Sequence, residues 1–92
     1  MKLDDLPSPA LLFRESTVES NLDLMVTLAK GADRLRPHVK THKCPEIISR
    51  HLSRGITKFK CATIAEAEMV ARCGAASLIL AKQPVGPDIH RL

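Results

Sequence analysis

Short apolar runs alternate with amphipathic segments along the chain, a pattern typical of strands that are each followed by a helix. Strands are predicted at residues 9–13, 33–40, 57–62 and 77–82, where apolar or alternating side chains lie between turn-forming residues. Helices are predicted in the intervals between these strands, and one more helix starts near residue 88. The predicted order is therefore βαβαβαβ, followed by the first turn of a helix.

The first predicted helix begins at a capping box, in which Ser16 and Glu19 lie three positions apart. Gly31 is expected to end this helix in the left-handed conformation, which glycine adopts without steric cost. Apolar side chains recur between these two signals at spacings of four, three and four residues: Val18, Leu22, Met25 and Ala29. The segment is therefore predicted to be amphipathic, with one buried face.

The second and third predicted helices have start and stop signals of their own. Pro45 suits the first position of a helix, where its missing N–H is not needed, and Gly55 stops that helix. Thr63 and Glu66 form a second capping box, and Gly74 ends the helix that follows it. Both segments are short enough to serve as crossover helices between neighbouring strands.

Strands and helices that alternate at this spacing form βαβ units with right-handed crossovers, which build a parallel sheet. The sheet is expected to be part of a (β/α)8 TIM-type barrel, an architecture that needs about 250 residues. Residues 1–92 are therefore expected to be the front part of a larger barrel enzyme. A compact flavodoxin-like domain is the alternative, although such a domain usually has at least about five strands.

Composition and charge narrow the classes of function. Hydrophobic residues make up 45% of the chain and charged residues 26%, as in soluble domains, and no apolar run approaches the ~18 residues of a membrane span. A net charge of +4 is compatible with nucleic-acid binding, but the chain has no Trp or Tyr on which bases could stack. Acidic residues precede the first apolar stretch, unlike a secretory signal, and the three cysteines form no CxxC motif. These features favour a cytoplasmic protein with reduced thiols and no membrane or nucleic-acid partner.

The segment with the most unusual chemistry is RLRPHVKTHKCPE, residues 34–46. Successive side chains of a strand point to opposite faces, so Arg36, His38 and Lys40 are predicted to share one face. The opposite face is apolar and includes Val39. Because buried cations need partners, a row of cationic side chains is more natural where an anionic ligand binds.

Lys40 lies at the carboxyl end of its predicted strand, which is the end of an α/β barrel where active sites are built. Its amine is a candidate nucleophile that could form a Schiff base with a carbonyl compound. A solvated lysine without such a role is the alternative that spacing alone leaves open. Lys82 and Gln83 end the last predicted strand and could face the same mouth, or could be an ordinary polar strand end.

Metal and thiol chemistry are less well supported by the spacing. His38, His42 and Cys44 are residue types that bind zinc, but an extended chain would separate the two histidines by ~13 Å. Zinc ligands lie about 2.0–2.3 Å from one point, so these residues could share an ion only if the chain turned between them. Otherwise His42 is a loop residue. Cys61 lies in an apolar strand and is expected to be a small buried side chain. No metal site is therefore predicted.

Four segments resemble the D-threonine aldolase/D-serine dehydratase family, and the PHxKTHK element is the most specific of them. The family comprises pyridoxal-phosphate enzymes of fold type III, whose barrel is shared with the alanine racemase N-terminal domain. The resemblance therefore implies a partial barrel of the alanine racemase N-terminal type. The matching segments are PALLF (9–13), RPHVKTHKCPEI (36–47), CATIAEAE (61–68) and LILAKQPVGP (78–87).

The resemblance implies a lyase that uses pyridoxal 5'-phosphate and acts on 3-hydroxy-D-amino acids, by aldol cleavage or by dehydration. It implies that Lys40 holds the cofactor as a Schiff base and that His38 also contacts the cofactor. It further implies that residues 1–14 supply a strand to a C-terminal β-domain, whose ligands bind Zn, Mn or Mg in a full-length homodimer. The 92-residue chain alone is expected to bind the cofactor weakly and to turn over no substrate.

Two other functions stay open at this point. An alanine-racemase-like racemase, or a non-catalytic cofactor-binding protein of the same barrel, would also need Lys40. A small basic nucleic-acid-binding domain would not need this lysine. The substitution Lys40→Ala separates these classes, because it should abolish cofactor capture and leave nucleic-acid binding nearly unchanged.

Overall fold

The computed structural model describes residues 2–91 and contains four α-helices and two β-strands, with two single turns of 3-10 helix at Leu3–Asp5 and Ala32–Arg34. None of the helices in this range is long and apolar enough to cross a membrane. In chain order the elements are α1 (Glu15–Ala29), α2 (Pro45–Ser53), β1 (Lys58–Cys61), α3 (Ile64–Arg72), β2 (Ser77–Leu80) and α4 (Asp88–Arg91).

Strands β1 and β2 are parallel neighbours joined by α3, so this part of the chain is the predicted βαβ unit. Phe59 lies opposite Leu78 in the register, and Cys61 lies opposite Leu80. Phe59 and Cys61 are fully buried, and the two leucines pack against the same core. Side chains that alternate with them therefore lie on the other face of the sheet.

A third segment joins the free edge of β1 without forming a full strand. His38 makes a parallel bridge to Lys60. The Val39 N–H donates to the Lys60 carbonyl, and the Lys60 N–H donates to the Pro37 carbonyl, each over 2.9 Å. The predicted strand 33–40 is thus wrong in its extent, because its first residues form a 3-10 turn and the last enters a turn.

The prediction of a strand at 9–13 is wrong for the described structure. These residues have no strand hydrogen bonds, and Leu11, Leu12 and Phe13 are exposed. A strand is stable only when its backbone groups find a partner, and no described segment pairs with this one. The pairing of residues 1–14 with a separate β-domain stays a prediction.

Helices α2 and α3 begin and end where the sequence signals placed them. Pro45 is the first residue of α2, and the Thr63 hydroxyl accepts the Glu66 N–H at the start of α3. Gly55 and Gly74 follow the two helices with φ angles of 82° and 94°. These positive angles favour glycine, so both stop signals are confirmed.

Helix α1 differs from its predicted boundaries at both ends. It begins at Glu15, and neither Ser16 nor Glu19 caps its first turn. Glu19 instead forms ion pairs with Arg50 of α2 and with Arg54, the residue that follows α2. At the other end Lys30, and not Gly31, adopts the left-handed conformation. Long-range ion pairs have replaced the local capping interaction that the sequence suggested.

The hydrophobic core fills one side of the sheet, between the strands and helices α2 and α3. Leu22 of α1 is also buried, which anchors that helix to the rest of the domain. The opposite face of the sheet has no helix packed against it among residues 2–91. The core consists of Val39, Ile48, Ile56, Phe59, Cys61, Ala67 and Val70.

Candidate functional site

The open face of the sheet carries cationic side chains. The strand alternation that buries Phe59 and Cys61 places Lys58 and Lys60 on this face, opposite Ser77 and Ile79 of β2 in the register. Lys60 is exposed, and Ile79 is 49% exposed. Residues 36–39, which contain the His38 bridge to β1, are called the bridging segment. The surface formed by the open side of β1, β2 and the bridging segment is called the cationic face below.

Arg36 ties the bridging segment to both strands across the cationic face. Its Nη1 donates to the Phe59 carbonyl over 3.0 Å, and its Nη2 donates to Ser77 Oγ over 2.9 Å. The contact with Ser77 shows that Arg36 lies on this face, and the bridge to Lys60 assigns His38 to the same side. The segment that precedes Lys40 is therefore held by side-chain as well as backbone hydrogen bonds.

Lys40 follows the bridging segment at the carboxyl end of the parallel sheet. It is exposed and begins a turn over residues 40–42. The Lys40 N–H donates to His38 Nδ1 over 3.2 Å, and the Lys43 N–H closes the turn by donating to the Val39 carbonyl over 2.9 Å. Lys40 takes part in none of the ion pairs found within residues 2–91.

Glu66 is the one acidic residue buried beside this turn within the described part of the chain. Its Oε1 accepts the Ala62 N–H over 3.0 Å, and its Oε2 accepts the Thr63 hydroxyl over 3.0 Å. Lys43 Nζ lies 3.7 Å from the same Oε2. The carboxylate thus joins the end of β1 to the turn that starts at Lys40.

The ionised state of Glu66 is favoured despite its burial. Burial acts to raise its pKa and is the largest single effect, but hydrogen bonds from Ala62 and Thr63 act against it. The positive charge of Lys43 and the proximity of His38 act in the same direction as the hydrogen bonds. Together they hold the pKa of Glu66 below its ordinary value of 4.5, so a negative charge is maintained at neutral pH.

Two histidines pack together behind the turn. The rings of His42 and His51 are stacked with centroids 6.1 Å apart, and His51 also makes an edge contact with Phe59 at 5.7 Å. The Cys44 N–H donates to His42 Nδ1 over 3.0 Å, and His51 Nδ1 lies 2.8 Å from the Ile47 carbonyl. Burial is the main cause that lowers the pKa of both histidines.

These contacts show how the chain turns between His38 and His42, but the turn does not assemble a metal site. No group of three His, Cys, Asp or Glu side chains within residues 2–91 could hold an ion. The Cys44 thiol donates to Oε2 of Glu46, in the first turn of α2, over 3.0 Å. Cys61 is fully buried as predicted, and burial raises the pKa of its thiol.

The other predicted mouth residues lie at the end of β2. Lys82 Nζ is 3.4 Å from Asp88 Oδ2 at the start of α4, and Gln83 is exposed. Their predicted place at a shared mouth with Lys40 stays a prediction. This contact of Lys82 is a local one, because Asp88 lies only six residues further along the chain, at the start of α4.

Sequence reasoning missed the parts of the site that depend on tertiary contacts. The sequence indicates only a capping role for Glu66, because nothing in the neighbouring residues predicts its ion pair with Lys43. Arg36 was placed on the correct side of the sheet through alternation, but its bonds to Phe59 and Ser77 join residues 23 and 41 positions away. The burial of His51 follows from the strong apolar face of α2, which the sequence does show.

A curated protein is similar to this chain over most of the chain's length. A D-threonine aldolase from Arthrobacter sp is 36% identical over 81 residues, which is 87% of this chain but 21% of the aldolase. The chain therefore spans about a fifth of the length of this curated relative. No family model matches the chain, and no solved structure matches it. The aldolase similarity agrees with the resemblance that the sequence motifs suggested.

Proposed function

We propose that this chain is the lysine-bearing part of a pyridoxal-phosphate-dependent lyase that acts on 3-hydroxy-D-amino acids. The observation that carries the proposal is an exposed Lys40, which has no acidic partner within residues 2–91, at the carboxyl end of a parallel, cationic sheet. The 36% identity to a D-threonine aldolase supports the same reaction class. Aldol cleavage is favoured over dehydration because the similar protein is an aldolase by name.

The residues around Lys40 fit the chemistry of pyridoxal phosphate. This cofactor combines an aldehyde, which reacts with a free amine, and anionic oxygens, which favour cationic surroundings. Lys40 supplies an amine with no ion-pair partner among residues 2–91, and Arg36 and Lys60 supply positive charge on the uncovered face. A neutral or acidic surface at this edge would have argued against an anionic aldehyde.

Three residues of the chain then have defined roles at the proposed cofactor site. Lys40 would hold the cofactor through Nζ, which would condense with the aldehyde carbon and release water. His38 Nδ1 accepts the Lys40 N–H, which leaves Nε2 as the ring nitrogen that can donate to an anionic oxygen. Arg36 keeps the segment that leads to Lys40 aligned with β1 and β2. When bound, pyridoxal phosphate supplies the electron sink that stabilises negative charge at Cα of an amino acid.

The proposed fold is the first part of a (β/α)8 barrel, in which the cationic face points to the barrel interior. Its support is the parallel order of the bridging segment, β1 and β2, with the helices that connect them packed on one side only. The phosphate-binding groups, a second acid or base and the divalent-metal ligands are then supplied by segments beyond this chain. We further propose a homodimer for the complete enzyme.

Cofactor binding can be tested on the purified 92-residue chain. Titration with pyridoxal phosphate should give a weak, saturable imine absorbance that is lost in Lys40→Ala and kept in Lys82→Ala. Lys82 is the matched control because it is also an exposed lysine that closely follows a segment of the sheet, but it has an acidic partner, Asp88. Equal absorbance in both variants would contradict the assignment of Lys40. Cleavage of D-threonine by the chain alone would contradict the prediction that it is inactive without the remaining segments.

A further inference from the structure

The turn that begins at Lys40 ends on an unfavourable backbone conformation. Lys43 has a φ angle of 50° although it is not a glycine. The left-handed region is unfavourable for a residue with a side chain, so neighbouring contacts must hold Lys43 there. The hydrogen bond from Lys43 N–H to the Val39 carbonyl closes the turn, but a glycine could form the same bond. A contact of the Lys43 side chain must therefore stabilise this backbone conformation.

The contact that stabilises the left-handed conformation of Lys43 is its ion pair with Glu66 on α3. Glu66 is 4% exposed, whereas Lys43 is 61% exposed, so the carboxylate is fixed inside the domain and the lysine reaches it from outside. The two bonds from Ala62 and Thr63 hold the carboxylate with one oxygen directed at Lys43 Nζ. A cavity of about 250 Å³, lined by residues that include Lys43 and Glu66, opens next to this ion pair.

We propose that Glu66 is a positioning residue for Lys40. Its negative charge holds Lys43, and Lys43 holds the end of the turn over residues 40–42 against the end of β1. Lys40 is thereby kept beside His38, where the Lys40 N–H meets Nδ1. The inference rests on the proposed function in so far as Lys40 is the lysine that binds the cofactor.

The charge of Glu66 can be separated from its capping role. Glutamine also serves at the third position of a capping box, so Glu66→Gln keeps an oxygen for the Ala62 N–H and removes the negative charge. The variant Lys43→Gly removes the ion pair and relieves the left-handed strain, whereas Lys43→Arg keeps the positive charge. Comparing these variants distinguishes a loss of charge from a loss of helix α3.

The experiment measures two quantities on the purified chain. The first is the fraction of borohydride-reduced pyridoxal phosphate that is found on Lys40 relative to all other lysines. The second is amide hydrogen exchange at Lys43 and, as an internal control, at residues 66–70 of α3. In Glu66→Gln the share on Lys40 should fall, and exchange at Lys43 should accelerate, each roughly two- to five-fold as expected for a partly exposed ion pair.

The same two measurements on the Lys43 variants test whether a positive charge at position 43 is sufficient, and they define the results that would overturn the proposal. Lys43→Arg should behave like the unchanged chain, and Lys43→Gly should lower the share on Lys40 as Glu66→Gln does. Unchanged labelling and unchanged Lys43 exchange in Glu66→Gln would overturn the proposal, as would an equal acceleration across α3. If Lys40 is not preferred even in the unchanged chain, the proposed function fails, while the exchange at Lys43 still reports on the ion pair.

Discussion

Acidification should destabilise the domain through the stacked histidine pair. His51 is 6% exposed and lies between His42 and Phe59, with Nδ1 bonded to the Ile47 carbonyl. Burial opposes the protonation of both rings; the charge of His51 adds to this effect at His42, and the charge of Arg54 adds to it at His51. Protonation of His42 would also break the bond that its Nδ1 accepts from the Cys44 N–H.

The sign of the effect follows from the lowered pKa values. Both histidines titrate below their ordinary pKa of 6.5 in the folded chain, so the unfolded chain binds more protons as pH falls through that value. Stability is therefore complete above about pH 6.5 and decreases below it. For a histidine that stays neutral in the folded chain, the free energy of unfolding falls by about 1.4 kcal/mol between about pH 7.5 and 5.5. This value is the upper limit for each of the two rings.

Urea unfolding followed by circular dichroism measures this loss, since the chain has no Trp or Tyr for fluorescence. This pH range lies above that of Glu66, the buried carboxylate, whose pKa is held below its ordinary value of 4.5. His51→Phe should flatten the dependence while keeping an aromatic ring against Phe59. The exposed His90 in α4 provides the control His90→Asn, which should leave the slope unchanged. Equal unfolding free energies at both pH values, or the same slope in His51→Phe, would refute the reasoning.

Three further perturbations test the packing. Ile48→Val should lower the unfolding free energy by about 0.5–1.5 kcal/mol, because Ile48 is fully buried, whereas Ile79→Val on the cationic face should change it little in the same urea titration. Gly55→Ala should cost roughly 1–2 kcal/mol because φ is 82°, which thermal unfolding will detect. Glu19→Gln should lower the melting temperature at low salt and have less effect in molar salt, since its ion pairs with α2 are screened; equal effects at both salt concentrations would contradict this.

Local signals in the sequence were sufficient for α2, α3 and the strands between and after them. Pro45 and the pair Thr63 and Glu66 act within one helical turn, so their neighbours in the sequence are also their neighbours in space. The alternation around Phe59 likewise depends only on the geometry of one strand. Elements that are decided by local physics were predictable for that reason.

The errors lie where distant residues compete with local signals. Glu19 has a potential capping partner three residues away, but Arg50 of α2 and Arg54 just after α2 bind it through charge as well as hydrogen bonds. The apolar run at 9–13 could not become a strand without a partner strand, and periodicity does not reveal whether one exists. For the candidate site, the face shared by Arg36 and His38 was predictable, whereas the Lys43–Glu66 contact was not.

Peptide mapping of the chain after reaction with pyridoxal phosphate and reduction with borohydride would decide whether the turn at residue 40 is a cofactor site. We predict that the added mass is concentrated on Lys40 at low cofactor concentration, and that free phosphate competes with labelling there. Labelling distributed evenly between Lys40 and exposed lysines such as Lys60, with no effect of phosphate, would contradict the proposed function.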